Sequence, residues 1–402
     1  SKIVELWFKL DQYYIVLYLI IGIQKENTMR QKYLINISSL LAASSLLILS
    51  ISPLAQACTR ILWNNDPSGL SGVLVGRTMD WPTSTDPVLT FFPRGSIHHG
   101  GMLGPEVVIA DTDNPVTWEA KFSSLVTTIY GAADGVNEKG LAAHLLYLNA
   151  TDIGPRDTSK PGLQIGLWAQ YVLDNAATVE EALVALDQIQ IVMATVKSPD
   201  GRQVKGSVHL IMEDASGDSA LIEYINGKKV VHHDKNVKVV TNDPPYDQQM
   251  VALKTMLSDM VKRGEDVGHP NSNTPLPGNV SPMDRLIRGS YFLHLMPSPK
   301  DEQEGIASML AIARNVSVPF GAPYKPQEGM KVYNTEYRTA ISLKDRRYFF
   351  ELTTQPNVIW TSFDKIVAPT SGQVMQFDPY NVVNKNAAGD ISARFTPAKA
   401  PY

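Results

Sequence analysis

The sequence predicts an α+β fold in which antiparallel sheets carry helices on their outer faces. Three observations predict it. Extended, β-branched runs arrive in groups whose neighbours are joined by short turn clusters. Helical-period segments interrupt those groups twice, so the order is strands, helices, strands, helices, strands. Parallel strands need crossovers of a dozen or more residues, and the short links leave no room for them.

The first 57 residues read as a leader and not as part of that fold. Met29-Arg30-Gln31-Lys32 is a basic n-region, Leu34 to Ile51 is mostly apolar, and Ala55 and Ala57 occupy small-residue cleavage positions. Residues 29–57 are therefore expected to be a secretory signal peptide, and Ser1 to Thr28 an upstream extension before a start methionine. Tyr13 to Ile23 is apolar but, at 11 residues, too short to span a bilayer. Two alternatives stand beside cleavage. A signal anchor would use Tyr33 to Ile51, against which Asn36, the serines and the Ala-x-Ala end argue. A lipid-anchored protein would modify Cys58, but it wants leucine where Ala55 stands. Cleavage after Ala57 leaves residues 58–402 as a single domain that is periplasmic or secreted, with signal peptidase as the maturation partner.

The elements follow in order. Thr59 to Trp63 and Gly72 to Thr78 are strands around the turn cluster Asn64 to Gly69. Val88 to Phe92 and Val107 to Ala110 are short strands. Leu125 to Tyr130 and Leu141 to Leu148 are strands about Asp134 to Gly140, which reads as a turn. Leu163 to Ala176 has helical spacing, and Thr178-Val179-Glu180-Glu181 is a capping box opening a helix over Val179 to Ile189. Strands resume at Ser207 to Glu213, Ser219 to Ile225, Lys228 to His233 and Val237 to Thr241. Asn226-Gly227 marks a hairpin. Tyr246 to Lys262, Met283 to Leu295 and Asp301 to Asn315 are helices, with a loop over Gly264 to Val280. Thr335 to Leu343, Arg346 to Leu352 and Val358 to Ser362 close the strand set. The tail beyond Phe377 reads as an extended surface segment.

Composition narrows the function classes. Of 402 residues, 36 are basic and 40 acidic; without the five basic and three acidic residues of the leader, 345 residues carry 31 and 37, a formal charge of −6. A nucleic-acid binder would show a basic stripe. No phosphate loop, dinucleotide glycine fingerprint, His-Glu-x-x-His or Cys-x-x-Cys motif occurs, so no cofactor and no metal are expected. His98-His99 and His232-His233 are adjacent pairs, whose side chains diverge in a strand, and both read as surface strand ends.

One residue remains unexplained: Cys58, the only cysteine. Buried filler is the ordinary role of a free cysteine. Its place directly after a cleavage site argues otherwise. A thiol of pKa ~8.5 is mostly protonated at neutral pH, whereas a free α-amine near ~7.7–8.0 supplies a base. On an N-terminal cysteine both groups share one residue, and the amine takes the thiol proton directly or through water. While Cys58 is peptide-bonded its nitrogen is no base, so cleavage is expected to activate the protein.

Cys58-Thr59, Gly76 to Trp81, Asp134 to Leu141, Val240 to Pro244, and Leu276-Pro277-Gly278 leading into Ser281 to Arg285 stand in this order along most of the mature chain. In these pieces the chain resembles the choloylglycine hydrolase and penicillin V acylase family of N-terminal-nucleophile hydrolases, in its exported form. The resemblance implies a four-layer αββα sandwich and hydrolysis of a linear amide through a thioester on Cys58. It implies that Arg77 favours the thiolate and that Asp80 holds the α-amine. It implies Asn242 as a side-chain oxyanion donor, Tyr147 as the backbone donor, and Arg285 as a second arginine near the nucleophile. From the residues alone, Asn242 also suits an Asx turn before Pro244, Arg77 a solvated strand end, and Arg288 competes with Arg285. Asn149 lies close enough to Tyr147 to share its place in the count. Trp81, Phe91, Phe92 and Tyr147 are candidates to line an apolar acyl pocket. Within the resemblance, Tyr147 leans toward the penicillin acylases, and the exported form resembles enzymes that also deacylate N-acyl homoserine lactones, with a bile-salt hydrolase as the alternative. The small-molecule acyl amide is the expected partner. A homo-oligomer is implied too, a tetramer where members extend the region near Gln190 to Val204, which reads here as a short hairpin.

Overall fold

Two sheets follow from the hairpin order. In the computed structural model the described residues are 58–402 apart from 67, 82–83, 130, 198–202, 264–274, 320–333 and 368–371, so the leader lies outside them. The first sheet has seven strands. In chain order they are β1 (Thr59–Trp63), β2 (Leu74–Trp81), β10 (Val239–Thr241), β11 (Asn334–Ser342), β12 (Arg347–Leu352), β13 (Ile359–Ser362) and β15 (Gly389–Asp390). Their spatial order is β10-β1-β2-β11-β12-β13-β15. The second sheet has nine: β3 (Val88–Phe92), β4 (Ser124–Thr128), β5 (Ala132–Asn137), β6 (Ala142–Tyr147), β7 (Val208–Glu213), β8 (Ser219–Ile225), β9 (Lys228–His233), β14 (Met375–Phe377) and β16 (Thr396–Pro397). It runs β9-β8-β7-β6-β5-β4-β3-β14-β16. Pairing is antiparallel throughout both sheets except between β13 and β15.

Three apolar clusters make four layers of these sheets. The first lies between them and includes Leu62, Val75, Met79, Leu125 and Val136. The second packs α1 (Trp168–Asn175) and α2 (Val179–Leu186) on the outside of the nine-stranded sheet. The third packs α4 (Pro282–Leu295) and α5 (Glu302–Asn315) on the outside of the other, and α3 (Tyr246–Lys262) leans on α4. Strand β1 is therefore buried on both faces, with Leu62 in the inter-sheet core and Ile61 and Trp63 under the helices. Local capping sets the helix starts: Thr178, Ser281 and Asp301 side chains accept from the amides of Glu181, Asp284 and Glu304.

Several expectations are corrected. Asp134 to Asn137 is not turn but the end of β5, buried throughout; only residues 138–140 reverse the chain. Gly140 has φ of +81°, the left-handed conformation that glycine adopts without strain. The helix expected from Leu163 begins at Trp168, because Gly162–Gln164 is a strand and Gln164 caps a 3₁₀ turn over Ile165–Leu167. The strand expected at Val107 to Ala110 is the two-residue Glu106–Val107. The tail does not merely cover the surface: β15 and β16 join different sheets, and Ile391 and Phe395 are buried. His98 is buried too, packed against Phe92 and Trp118.

Candidate active site

Register assembles the site at one end of β1. Thr59 pairs with Thr241 on β10 and with Thr78 on β2, so Cys58 lies beside Asn242 and Met79. Alternation along β2 then divides the neighbouring side chains. Arg77, Met79 and Trp81 face the second sheet, while Thr78 and Asp80 face the helices.

On the inter-sheet side, the Cys58 Sγ lies 3.7 Å from the Met79 Sδ and opens into a cavity of about 100 Å³. Arg77, Trp81, Leu145, Tyr147 and Gly131 also line it. Gly131 approaches Gly166 so closely that a Cβ would strike the Gly166 carbonyl. The Trp81 and Tyr147 rings meet edge-on at a centroid distance of 6.4 Å. The Arg77 guanidinium is buried and donates to the carbonyls of Ala133 (3.0 Å) and Leu145 (2.7 Å), and pairs with Asp134 at 3.0 Å. Burial pushes the Cys58 thiol up; Arg77 and Arg285 act the other way without reversing it. Arg77 opposes that rise in part, and Asp134 pairs with its charge.

On the helix side, Arg285 Nη1 donates to Cys58 O (3.0 Å), Thr59 Oγ1 (2.6 Å) and Asp80 Oδ2 (3.3 Å). Ser281 and Pro282 start α4 one turn earlier and so aim Arg285 at the strand end. Arg288 points elsewhere, to the carbonyls of Pro277 and Asn279. Asp80 accepts from Thr78 (3.0 Å) and from Thr335, and burial raises its carboxyl to about 6 against the pull of Arg285 and these hydroxyls.

The Cys58 N–H donates to Asn242 Oδ1, which also takes Arg285 Nη2 at 3.4 Å. These two donors fix the amide orientation, and Nδ2 then donates to the Tyr147 carbonyl at 2.8 Å. A primary amide carries two N–H donors, so one remains for a ligand. Leu148 N–H donates to Ser207 O at 3.0 Å, so by antiparallel alternation the Tyr147 N–H points away from β7, on the side where Asn242 stands. The Asn149 amide is engaged by Asp243 at 3.1 Å, and Asn149 is exposed.

Cys58, Arg77, Asp80, Tyr147, Asn242, Arg285 and Trp81 therefore come together. Phe91 and Phe92 do not line the cavity. Alternation on β3 sends Phe91 into the inter-sheet core against Phe363 and Phe92 into the core under α1. Asp134, His144, Glu213 and Thr335 were not singled out by sequence reasoning. For His144 the available signal was a polar residue inside the apolar run Ala142 to Leu148; for Asp134 it was an acid directly after Ala132-Ala133.

The family described as linear amide C–N hydrolases, choloylglycine hydrolase family, matches residues 58–374, beginning at Cys58. A penicillin V acylase of Pectobacterium atrosepticum is 33% identical over 386 residues, covering 90% of this chain and 96% of its own. A bile salt hydrolase/transferase of Bifidobacterium longum is 22% identical over 321 residues, covering 75% and 93%. The solved structure of a penicillin V acylase from Agrobacterium tumefaciens superposes with a TM-score of 0.70 at 33% identity, covering 85% of this chain and 98% of that one.

Proposed function

The chain belongs to the choloylglycine hydrolase family of linear amide C–N hydrolases, and from that premise we propose that it is an exported acylase that uses Cys58 as an N-terminal nucleophile on penicillin V or an N-acyl homoserine lactone. Removal of residues 1–57 by signal peptidase turns the Cys58 amide into an amine. The amine accepts the thiol proton, and the thiolate attacks the amide carbonyl carbon. The resulting oxyanion takes the second Asn242 Nδ2–H and the Tyr147 N–H. The C–N bond then breaks as the ammonium protonates the leaving amine. Water, deprotonated by the same amine, hydrolyses the thioester and restores Cys58. Arg77 and Arg285 offset negative charge on the sulfur, against the cost of its burial. The new ammonium in turn favours an ionised Asp80, whose burial otherwise raises it.

The observation that carries this reading is the convergence of Cys58, Asn242 and the Tyr147 backbone at the mouth of a mainly apolar cavity. Its size favours a small acyl group: at about 100 Å³ it is smaller than the roughly 150 Å³ cavity that holds benzene, so it takes a short acyl chain or the edge of an aryl group, the remainder lying in its open mouth. The four-ring body of a bile acid is larger, which sets the bile-salt reading second. Burial of the Cys58 side chain, 2% exposed, argues against a lipid anchor on it.

The test is intact mass of the exported protein together with a substrate panel. A chain starting at an unmodified Cys58, with kcat/KM for penicillin V or an acyl homoserine lactone well above that for a glycine-conjugated bile salt, is the expected result. A diacylglycerol adduct, or full activity with the Ala57–Cys58 bond intact, refutes the mechanism.

A further inference from the structure

Arg60 and Arg77 stand directly opposite each other on β1 and β2, and both are fully buried. Like charges in that position repel, and a buried charge persists only when paired. The second sheet supplies the pairing. Glu213 Oε2 lies 3.4 Å from Arg60 Nε, and Asp134 Oδ1 lies 3.0 Å from Arg77 Nη1. His144 stands between the two carboxylates, its Nε2 2.5 Å from Glu213 Oε1 and its Nδ1 3.8 Å from Asp134 Oδ2. Register places it there: Asp134 and His144 are partners across β5 and β6, and Glu213 is the diagonal neighbour on β7. His144, Asp134 and Glu213 are fully buried.

Two cations and two anions cancel, so the imidazole decides the sum. A neutral imidazole would set an acceptor nitrogen against one of the carboxylates, whereas an imidazolium donates from Nε2 to Glu213 and places its positively charged Nδ1 side, which makes no hydrogen bond, at ion-pair distance from Asp134. The array then carries one net positive charge, and its Arg77 end shares the cavity wall with Cys58. The titratable groups facing this array are Tyr337 and Tyr348, the latter donating to Asp134 at 3.0 Å, with Cys58 beside Arg77 and Tyr246 beside Arg60. Burial would lower His144, but Glu213 and then Asp134 hold it above its ordinary value.

We propose that His144 is a positioning residue for the Cys58 chemistry: as an imidazolium between Asp134 and Glu213 it occupies those carboxylates, leaving Arg77 one uncompensated charge with which to offset the thiolate. This rests on Cys58 as the nucleophile but not on which amide it cleaves. Because Cys58 is the only cysteine, iodoacetamide alkylation reports on that thiol alone, with or without a known substrate.

The experiment compares the pH dependence of alkylation in mature wild type and His144→Gln. Loss of one buried charge acting through an ion pair should move the alkylation midpoint up by about one pH unit, roughly tenfold in rate below it. The acid limb of kcat/KM should move with it, at unchanged KM. A folded His144→Gln with an unmoved alkylation profile overturns the proposal and leaves His144 a spacer. Should that variant fail to fold, ¹⁵N-histidine NMR of wild type, with the His232 signal identified by its loss in His232→Gln, decides: a further imidazole protonated on both nitrogens at pH 8 supports it, and none overturns it. A shifted alkylation profile without turnover of any amide would sink the acylase reading and leave the His144 coupling standing.

Discussion

Asn242→Ala separates transition-state stabilisation from binding. The substitution removes one of the two oxyanion donors proposed above, Nδ2, which stands 2.8 Å from the Tyr147 carbonyl. Loss of one such donor costs about 10²–10³ in turnover, or roughly 3–4 kcal/mol of barrier. The donor acts only once the carbonyl oxygen becomes an oxyanion, so kcat and kcat/KM should fall together with KM near its wild-type value. The substitution also removes Oδ1, the acceptor of the Cys58 nitrogen. Arg285 loses the same oxygen at 3.4 Å but keeps Cys58 O, Thr59, Asp80 and Val280. The Tyr147 carbonyl loses its donor, about 1–3 kcal/mol if no water replaces it. The assay is steady-state hydrolysis of penicillin V at saturating and limiting concentrations, with intact mass to establish that Cys58 is the N-terminus. A rise in KM with kcat preserved would refute the oxyanion role and make Asn242 a substrate-positioning group. A variant that retains residues before Cys58 would instead place Asn242 in maturation.

Further outcomes follow from the same geometry. Trp81→Ala should raise KM for an aromatic acyl substrate several-fold, while Phe91→Leu, in the core and off the cavity, should lower thermal stability by about 1 kcal/mol with KM unmoved; equal KM effects would contradict the cavity assignment. Arg285→Met should lose most activity, since its guanidinium ties Cys58 O to Asp80, whereas Arg288→Met should keep activity at some cost in stability; the two rates decide. Burial raises Asp174 to about 7 despite hydrogen bonds from Trp118, Gln170 and Ser124. A folded value above the unfolded one of ~3.9 means its contribution is full below that value and is lost as pH rises through about 7, up to about 4 kcal/mol. Asp174→Asn should therefore flatten the fall in melting temperature between pH ~4 and ~7, and an unchanged slope would show that Asp174 ionises normally.

Much of this molecule is legible in its sequence because the signals are local. Turn clusters and β-branched runs locate Thr59–Trp63, Val88–Phe92 and Ser219–Ile225 almost to the residue, and the capping box at Thr178 locates the start of α2. The same kind of information marks Cys58 out: a lone thiol after an Ala-x-Ala end. Asp134-Gly135 misled because the pair is a turn signal by composition, while its true environment is an arginine on another sheet. Tertiary structure alone decided which face each strand buries. A period of two states that alternate residues diverge, not which set meets the helices; hence Phe91 and Phe92 went to cores, and Arg77 and Asp80 to opposite sides of Cys58. It alone chose Arg285 over Arg288, since three residues of helix turn one guanidinium toward β1 and the other toward a loop. It alone joined Arg60, Glu213, His144, Asp134 and Arg77, residues drawn from five strands and two sheets. Charge pairing in a buried core depends on distance in space, and no spacing along the chain encodes it.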